Sequence, residues 1–285
     1  MSRPDSDRAR GSQRCRLPVF RATGTAIEGT SNLPRVTAAF ADISLFQLLL
    51  VAGVALIGSV VGGVAGYGTG ALMPLVLVPI LGPEPVVPII AISGLLTNSG
   101  RVFAFLRYVD WRRSAIALAG AVPFAMISAY GFTLLTGRAV QILIGVMLIL
   151  TVPLRYAMRR RATALGDGGL LFSAMGYGAV MGGTVGAGVI LLSILLSTGL
   201  QGAAVVATDA VISIVVGFAR LVVFGYADVI SAQIVAFGLL IGAVGFAGAF
   251  LAKAFVERLP LRVHTAILDA VVLIGGAAMV AGAFR

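Results

Sequence analysis

Ten apolar stretches, separated by glycine clusters, prolines and charged residues, fill the chain from residue 43 to its end. A membrane-spanning helix needs about 20 predominantly apolar residues, and most of the stretches approach that length. Two of them are shorter, and each of these follows a glycine cluster. The pattern predicts an all-α polytopic integral membrane protein with helical segments at about 44–65, 71–81, 86–106, 114–135, 139–156, 169–185, 188–198, 203–224, 229–252 and 264–283.

The two glycine clusters lie inside this apolar sequence, at residues 62–70 (GGVAGYGTG) and 182–188 (GGTVGAG). Glycine lets the backbone leave the helix and lets another group approach the peptide closely. In a bilayer such irregular backbone is tolerated only where it is buried in protein or lines a cavity. Two matching breaks in two halves of a chain are the sequence pattern that indicates the binding site of a transporter.

The two halves resemble each other at a constant offset of 118 residues, which relates Gly68 to Gly186. The Tyr-x-Asp motif at 108–110 recurs at 226–228, and each copy closes an apolar stretch. We therefore expect a transmembrane permease domain at 43–285 that is built from two pseudo-symmetric repeats with Gly-broken helices. The predicted repeats span about 44–157 and 169–283, and residues 158–168 link them.

The number of crossings depends on the two short stretches, 71–81 and 188–198. If both cross the membrane, the repeats are inverted and the basic loops 107–113, 155–161 and 253–262 lie on one side, as basic loops tend to do. If both are re-entrant, 253–262 lies on the opposite side. The sequence leaves open a count between eight and ten transmembrane or half helices, and with it the orientation of the N-terminus.

Residues 1–42 carry seven arginines and four acidic residues without apolar periodicity, which predicts a disordered basic tail. We do not expect a signal peptide, because the first apolar stretch starts only after this tail and has no cleavage pattern. A translation start downstream of the tail is an alternative, and it requires a codon other than ATG because no Met lies between Met1 and Met73.

Composition narrows the class further. Apolar residues make up 59% of the chain and charged residues 11%, against about 25% charged residues in soluble domains. The net charge of +10 comes from arginines in short loops and the tail, without aromatic interleaving, so we expect no nucleic-acid partner. One cysteine, Cys15, and one histidine, His264, provide no metal-ligand set and no nucleophile–base pair, so the sequence predicts no metal, no cofactor and no enzyme.

Among the ionisable residues of the predicted spanning segments, Arg101, Asp209 and Arg220 fit a position within the membrane best. Such a residue costs about 2.5–3.5 kcal/mol on insertion scales and usually faces a cavity or a partner. Two cations from corresponding helices, near two glycine breaks, predict an anion site. Three alternatives stay open: either arginine can snorkel to the interface, Asp209 can cap its helix, and the small residues beside Arg101 can form a packing seam.

The predicted anion site therefore combines both breaks with two helices. Backbone amides of 66–70 and 184–188 are expected to hold the oxygens of the anion, and Asp209 is the candidate for proton coupling or gating. The candidate substrate-binding residues are Gly66, Gly68, Thr69, Gly70, Ser93, Thr97, Asn98, Arg101, Thr184, Gly186, Gly188, Thr208 and Arg220.

A glycine-rich break, a short segment with Met73-Pro74-Leu75 and Val78-Pro79, and an Ala-x-Ser helix ending in Tyr108-Val109-Asp110-Trp111-Arg112 form the first repeat. The second contains Ala207-Thr208-Asp209-Ala210 and closes with Gly225-Tyr226-Ala227-Asp228. This order over residues 45–283 resembles the sulfite exporter TauE/SafE family of membrane permeases. In that family the clusters are often richer in glycine; here Tyr67 and Thr69 interrupt the first, and Val185 and Ala187 the second.

The resemblance implies a multi-pass secondary transporter for sulfite, organosulfonates or other small sulfur-containing anions, in a bacterial cytoplasmic membrane. Its expected partners are a small anionic substrate and the lipid bilayer, and proton coupling is one option. The identity of the anion, the direction of transport and the oligomeric state stay open. The alternatives are a channel-like anion conductor, or a permease of the same fold for an unrelated small solute.

Overall fold

The computed structural model describes residues 43–65, 68–160, 165–255 and 261–284. These residues form ten α-helices, and no β-strand occurs among them. The predicted disordered tail, Gly66 and Tyr67 lie outside the described residues. The helices are α1 (Leu45–Ala65), α2 (Gly68–Leu81), α3 (Val86–Phe105), α4 (Trp111–Thr133), α5 (Gly137–Arg160), α6 (Asp167–Gly183), α7 (Gly188–Ser197), α8 (Ala203–Tyr226), α9 (Ala232–Phe255) and α10 (Leu261–Gly282).

The bounds of these helices differ from the predicted segments by only a few residues. The largest difference in the first half is at α5, which ends at Arg160 rather than at residue 156. Helix α2 begins at Gly68 rather than at residue 71, so the last glycines of the first cluster belong to its first turn. Within these described ranges, four helices are long and apolar enough to cross a membrane, at Val86–Tyr108, Trp111–Thr133, Gly137–Leu154 and Ala203–Tyr226. The all-α, membrane-spanning architecture predicted from the pattern is confirmed.

The helix starts show why the chain forms these elements locally. Asp110 caps α4: its carboxylate accepts a hydrogen bond from the backbone N–H of Arg113 at 2.9 Å and pairs with the Arg113 guanidinium at 3.1 Å. A carboxylate at this position accepts a hydrogen bond from an otherwise free amide, and its negative charge interacts favourably with the positive end of the helix dipole. Ser231 fills the same role before α9 by accepting from the Ile234 amide. The first Tyr-x-Asp motif thus ends in the residue that caps the start of α4.

Small residues allow close helix packing. A side-chain carbon on Gly178 of α6 would lie 2.2 Å from the carbonyl oxygen of Ala121 in α4, and one on Gly182 would lie 2.3 Å from that of Ala125. On the other side of the bundle, the Ser59 hydroxyl of α1 donates to the Gly245 carbonyl of α9 at 2.6 Å. Such contacts between backbones are the usual basis of helix association in membranes.

The contacts between helices follow a regular scheme. Helix α3 packs against α8 and α9, α4 against α6 and α8, α1 against α2 and α9, and α5 against α10. Helices that are five apart in chain order make corresponding contacts. The α4–α6 contact thus corresponds to the α9–α1 contact, and the α3–α9 contact corresponds to the α8–α4 contact. A duplicated chain produces this scheme, although the duplication itself stays a prediction, as do the repeat boundaries.

Helices α2 and α7 are the two short ones, with 14 and 10 residues. At about 1.5 Å per residue, their lengths are roughly 21 and 15 Å, against a hydrocarbon core of about 30 Å. The count of crossings between eight and ten therefore stays a prediction.

Candidate functional site

The two glycine breaks meet in the fold. A side-chain carbon on Gly70, in the first turn of α2, would lie 3.2 Å from the backbone nitrogen of Gly186. Both positions need glycine, because a side chain at Gly70 would press on the other break and Gly186 has a φ of +83°. The backbone of one half of the chain therefore contacts that of the other, in the first turn of α2 and just before the start of α7.

A cavity of about 100 Å³ lies beside this contact; we call it the glycine-break cavity. Its walls come from both breaks and from the helices α3, α6 and α8. Eight of the substrate-binding residues predicted from the sequence line it together with Asp209, and seven further residues complete it. The predicted ones are Thr69, Gly70, Thr97, Asn98, Arg101, Gly186, Gly188, Asp209 and Arg220; the others are Ile90, Ala91, Gly94, Met181, Val185, Ser213 and Gly217.

The backbone at the second break explains part of the cavity wall. Helix α6 ends at Gly183, Thr184 is extended with φ −133° and ψ −178°, and α7 begins at Gly188. The first amides of a helix have no partner within it, and they carry the positive end of the helix dipole. Helix α2 begins at Gly68 in the corresponding place. The first turn of α2, through Thr69 and Gly70, and the start of α7, at Gly188, thus line the cavity.

Arg220 is the most deeply buried charged side chain of this region, with 1% of its surface exposed. One terminal nitrogen, Nη2, donates to the carbonyl oxygen of Thr184 at 3.3 Å, and the guanidinium carbon lies 5.9 Å from the ring centre of Phe224. Its Nε is buried and has no hydrogen-bond partner among the described residues. Arg220 therefore reaches the second break and does not snorkel to an interface.

Arg101 enters the same cavity from α3. It is half-buried, its Nη1 donates to the side-chain oxygen of Asn98 at 3.3 Å, and its buried Nε is without a partner in the part of the chain described. The guanidinium interacts electrostatically with the carboxylate of Asp209. Asn98 thus orients Arg101 while leaving part of its donor capacity unused.

Asp209 lines the same cavity from α8, and 5% of its surface is exposed. Helix α8 begins at Ala203 after Gly202, so Asp209 lies in the second turn and does not cap the helix. Its Oδ1 is buried without a hydrogen-bond partner, and neither described salt bridge within 4.0 Å involves it. Asp209 therefore lines the same cavity as the two arginines, interacts electrostatically with Arg101, and forms a described salt bridge with neither.

Four predicted residues have other positions. The Ser93 hydroxyl donates to the Ile90 carbonyl at 3.1 Å, and Gly242 of α9 packs on its backbone, so Ser93 belongs to a helix seam. Thr184 supplies its carbonyl oxygen to Arg220, whereas its hydroxyl bonds back to Val180. Gly68 starts α2, and Gly66 lies outside the described residues.

Thr208 is the fourth, and its hydroxyl serves a loop. It accepts a hydrogen bond at 3.1 Å from the backbone N–H of Asp110, 98 residues away, and it is fully buried. The loop that carries the first Tyr-x-Asp motif is thereby tied to the residue that precedes Asp209.

Sequence reasoning missed several contributors. Gly94 and Gly217 line the cavity from α3 and α8, and a side-chain carbon on Gly217 would meet Leu95 at 3.3 Å. Tyr177 of α6 is buried within electrostatic range of Asp209 and Arg220. Ser213 shares a helix face with Asp209, and that spacing was the signal that could have added it. Tyr177 had no such signal, because only folding brings α6 against α8.

Comparison with known proteins adds the family to this geometry. The family model described as Sulfite exporter TauE/SafE matches residues 49–279. The chain belongs to the TauE/SafE family. The match spans all the described helices apart from a few terminal residues, and it implies a multi-pass membrane transporter of sulfur-containing anions rather than an enzyme. No curated protein and no solved structure matches the chain. Among the described residues, no group of three or more acidic, histidine or cysteine side chains is arranged to hold a metal ion.

Proposed function

We propose that this TauE/SafE protein is a secondary transporter of the bacterial cytoplasmic membrane that carries sulfite or a small organosulfonate by alternating access. The observation that carries the proposal is Arg220, whose buried guanidinium reaches the second glycine break beside the glycine-break cavity. Its Nε has no hydrogen-bond partner in the part of the chain that the structure describes. A cation is costly to place within a membrane helix unless it has a partner. An anion in the cavity supplies that partner.

The rest of the cavity supports an anion in the same place. Arg101 adds a second guanidinium, and the helix starts at Gly68 and Gly188 add backbone amides. Guanidinium groups and helix N-termini are the usual ligands of oxyanions in proteins. In this proposal the oxygens of the anion accept hydrogen bonds from the amides of both breaks, while Arg101 and Arg220 supply the attraction.

Asp209 gives the proposal its coupling step. It is the carboxylate among the described residues that line the cavity, and it interacts electrostatically with Arg101. Uptake of a proton by Asp209 would remove the negative charge that attracts Arg101 and would leave that guanidinium to the anion. We therefore propose that Asp209 exchanges a proton during the transport cycle, which couples anion movement to the proton gradient.

The test is uptake of radiolabelled sulfite into proteoliposomes, with and without an imposed proton gradient, in competition with sulfonates, sulfate and thiosulfate. The proposal predicts saturable uptake that depends on the gradient. The Asp209→Asn variant should retain sulfite binding and lose the gradient dependence. Uptake by the wild type that ignores the gradient would contradict the coupling step.

The same preparation separates the proposal from its alternatives. Large currents without saturation would identify a channel-like conductor rather than a carrier. Neither uptake nor competition by any sulfur anion would mean that the fold serves another solute, and the anion site would then be wrong.

A further inference from the structure

The glycine-break cavity contains an unsatisfied acceptor as well as donors. Asp209 Oδ1 is buried and has no hydrogen-bond partner among the described residues, although Ser213 lies one turn further on the same helix face. An ionised carboxylate can only accept hydrogen bonds, and leaving it unpaired in a buried place is costly. Something in the loaded site has to donate to this oxygen.

The described side chains around Asp209 do not meet that need. The Arg101 guanidinium acts on it only at a distance, and Arg220 is bonded to Thr184 instead. A fully deprotonated oxyanion without other polar groups has acceptors alone, so it satisfies the arginines but leaves Oδ1 unpaired and repels it. An anion that also carries an O–H or N–H group can satisfy both ends of the cavity.

We propose that Asp209 is a specificity residue that selects anions carrying a hydrogen-bond donor of their own. The class comprises hydrogen sulfite and short-chain sulfonates with a hydroxyl or ammonium group. This inference rests on the proposed anion transport and adds the substrate class of the same site. In the empty carrier Asp209 binds a proton, and in the loaded carrier its carboxylate accepts a hydrogen bond from the substrate. Proton coupling and substrate selection thus depend on the same residue in two states of the carrier.

The size of the cavity fits this class. About 100 Å³ accommodates several water molecules, since one water needs roughly 10–15 Å³ of such space. A sulfonate group with a two-carbon chain has a comparable size. A buried acceptor selects between substrates more strongly than the size of the cavity does. An analogue without the hydroxyl leaves the acceptor unpaired, so the site discriminates strongly against it.

Two compounds of nearly equal shape test the inference: ethanesulfonate and 2-hydroxyethanesulfonate, which differ by one hydroxyl. Each is titrated by calorimetry into the purified full-length protein in detergent, with sulfite as a third titrant. We expect the hydroxylated compound to bind at least about tenfold more tightly, as one hydrogen bond to a charged group contributes. The ratio of the two affinities, hydroxylated over unsubstituted sulfonate, tests the inference in the wild type alone, whether or not any variant folds.

Two matched variants assign the discrimination to a residue. Asp209→Asn removes the charge at nearly constant shape and should reduce the ratio to about threefold or less. Asp228→Asn makes the same change at an exposed position with φ +53°, a conformation that Asn also adopts, and should leave the ratio unchanged.

The outcomes separate this inference from the proposed function. Equal binding of the two sulfonates, with sulfite also bound, overturns the inference and leaves anion transport standing. A preference that persists in Asp209→Asn overturns the role of Asp209. No binding of any of the three anions overturns the proposed function, and the inference with it.

Discussion

The backbone of Gly70 approaches that of Gly186 so closely that a side-chain carbon on Gly70 would lie 3.2 Å from the Gly186 nitrogen. The neighbouring atom belongs to a backbone and cannot rotate away. The structure thus joins the two glycine breaks directly, and the cavity beside them depends on that contact.

Replacing Gly70 by Ala should separate the breaks by a few tenths of an ångström. We expect the apparent affinity for the transported anion to fall severalfold while the protein still inserts, because the amides and Arg220 no longer converge on one place. Uptake kinetics in proteoliposomes measure this change. Gly53→Ala is the control, since an added carbon in the middle of α1 meets nothing within 4 Å. Equal affinities in the two variants would show that the contact does not shape the site.

The conformation of Gly186 predicts a loss of stability. Its φ of +83° is unfavourable for a residue with a side chain. Gly186→Ala should therefore lower the free energy of unfolding by about 1–3 kcal/mol. Thermal unfolding in detergent tests this, with Gly176→Ala of α6 as the comparison because space is open there. A melting temperature as high as that of the Gly176 variant would contradict a strained break.

The contact between α4 and α6 predicts a stronger effect. A carbon on Gly178 would lie 2.2 Å from the Ala121 carbonyl oxygen, so Gly178→Ala has to move one helix. We expect a large fall in the yield of monodisperse protein on size-exclusion chromatography. Gly176→Ala, two residues earlier in the same helix, should behave like the wild type. A normal yield for Gly178→Ala would mean that the two helices are not packed through glycine.

Thr208 predicts a local effect rather than a change in binding. Thr208→Val removes the acceptor of the Asp110 amide, and a hydrogen bond of this kind contributes about 0.5–1.5 kcal/mol. Hydrogen exchange at Asp110 should therefore become roughly two- to tenfold faster, with anion affinity unchanged. Thr198→Val is the matched control, because the Thr198 hydroxyl bonds only within its own helix end. Weaker anion binding in Thr208→Val alone would return Thr208 to the substrate site.

Individual residues show how far the sequence alone could lead. The helices could be located to within a few residues, because apolar length and glycine clusters are local properties. The charge of Arg220 inside an apolar segment marked it as a candidate, yet its direction depends on the packing of α6 against α8. Thr208, beside Asp209 in the sequence, is a predicted substrate-binding residue, but its hydroxyl bonds to the Asp110 amide instead. Its partner Asp110 lies 98 residues away, and no local pattern indicates such a bond.

The central claim is that an anion binds between the glycine breaks and is held by Arg220. The most direct measurement is the affinity of the purified protein for sulfite, by calorimetry in detergent, for the wild type, Arg220→Gln and Arg112→Gln. The last variant removes an equal charge from an exposed arginine, whose partner is Asp167. We predict an affinity lower by about tenfold or more in Arg220→Gln and near the wild-type value in Arg112→Gln. The same sulfite affinity in all three proteins would contradict the claim.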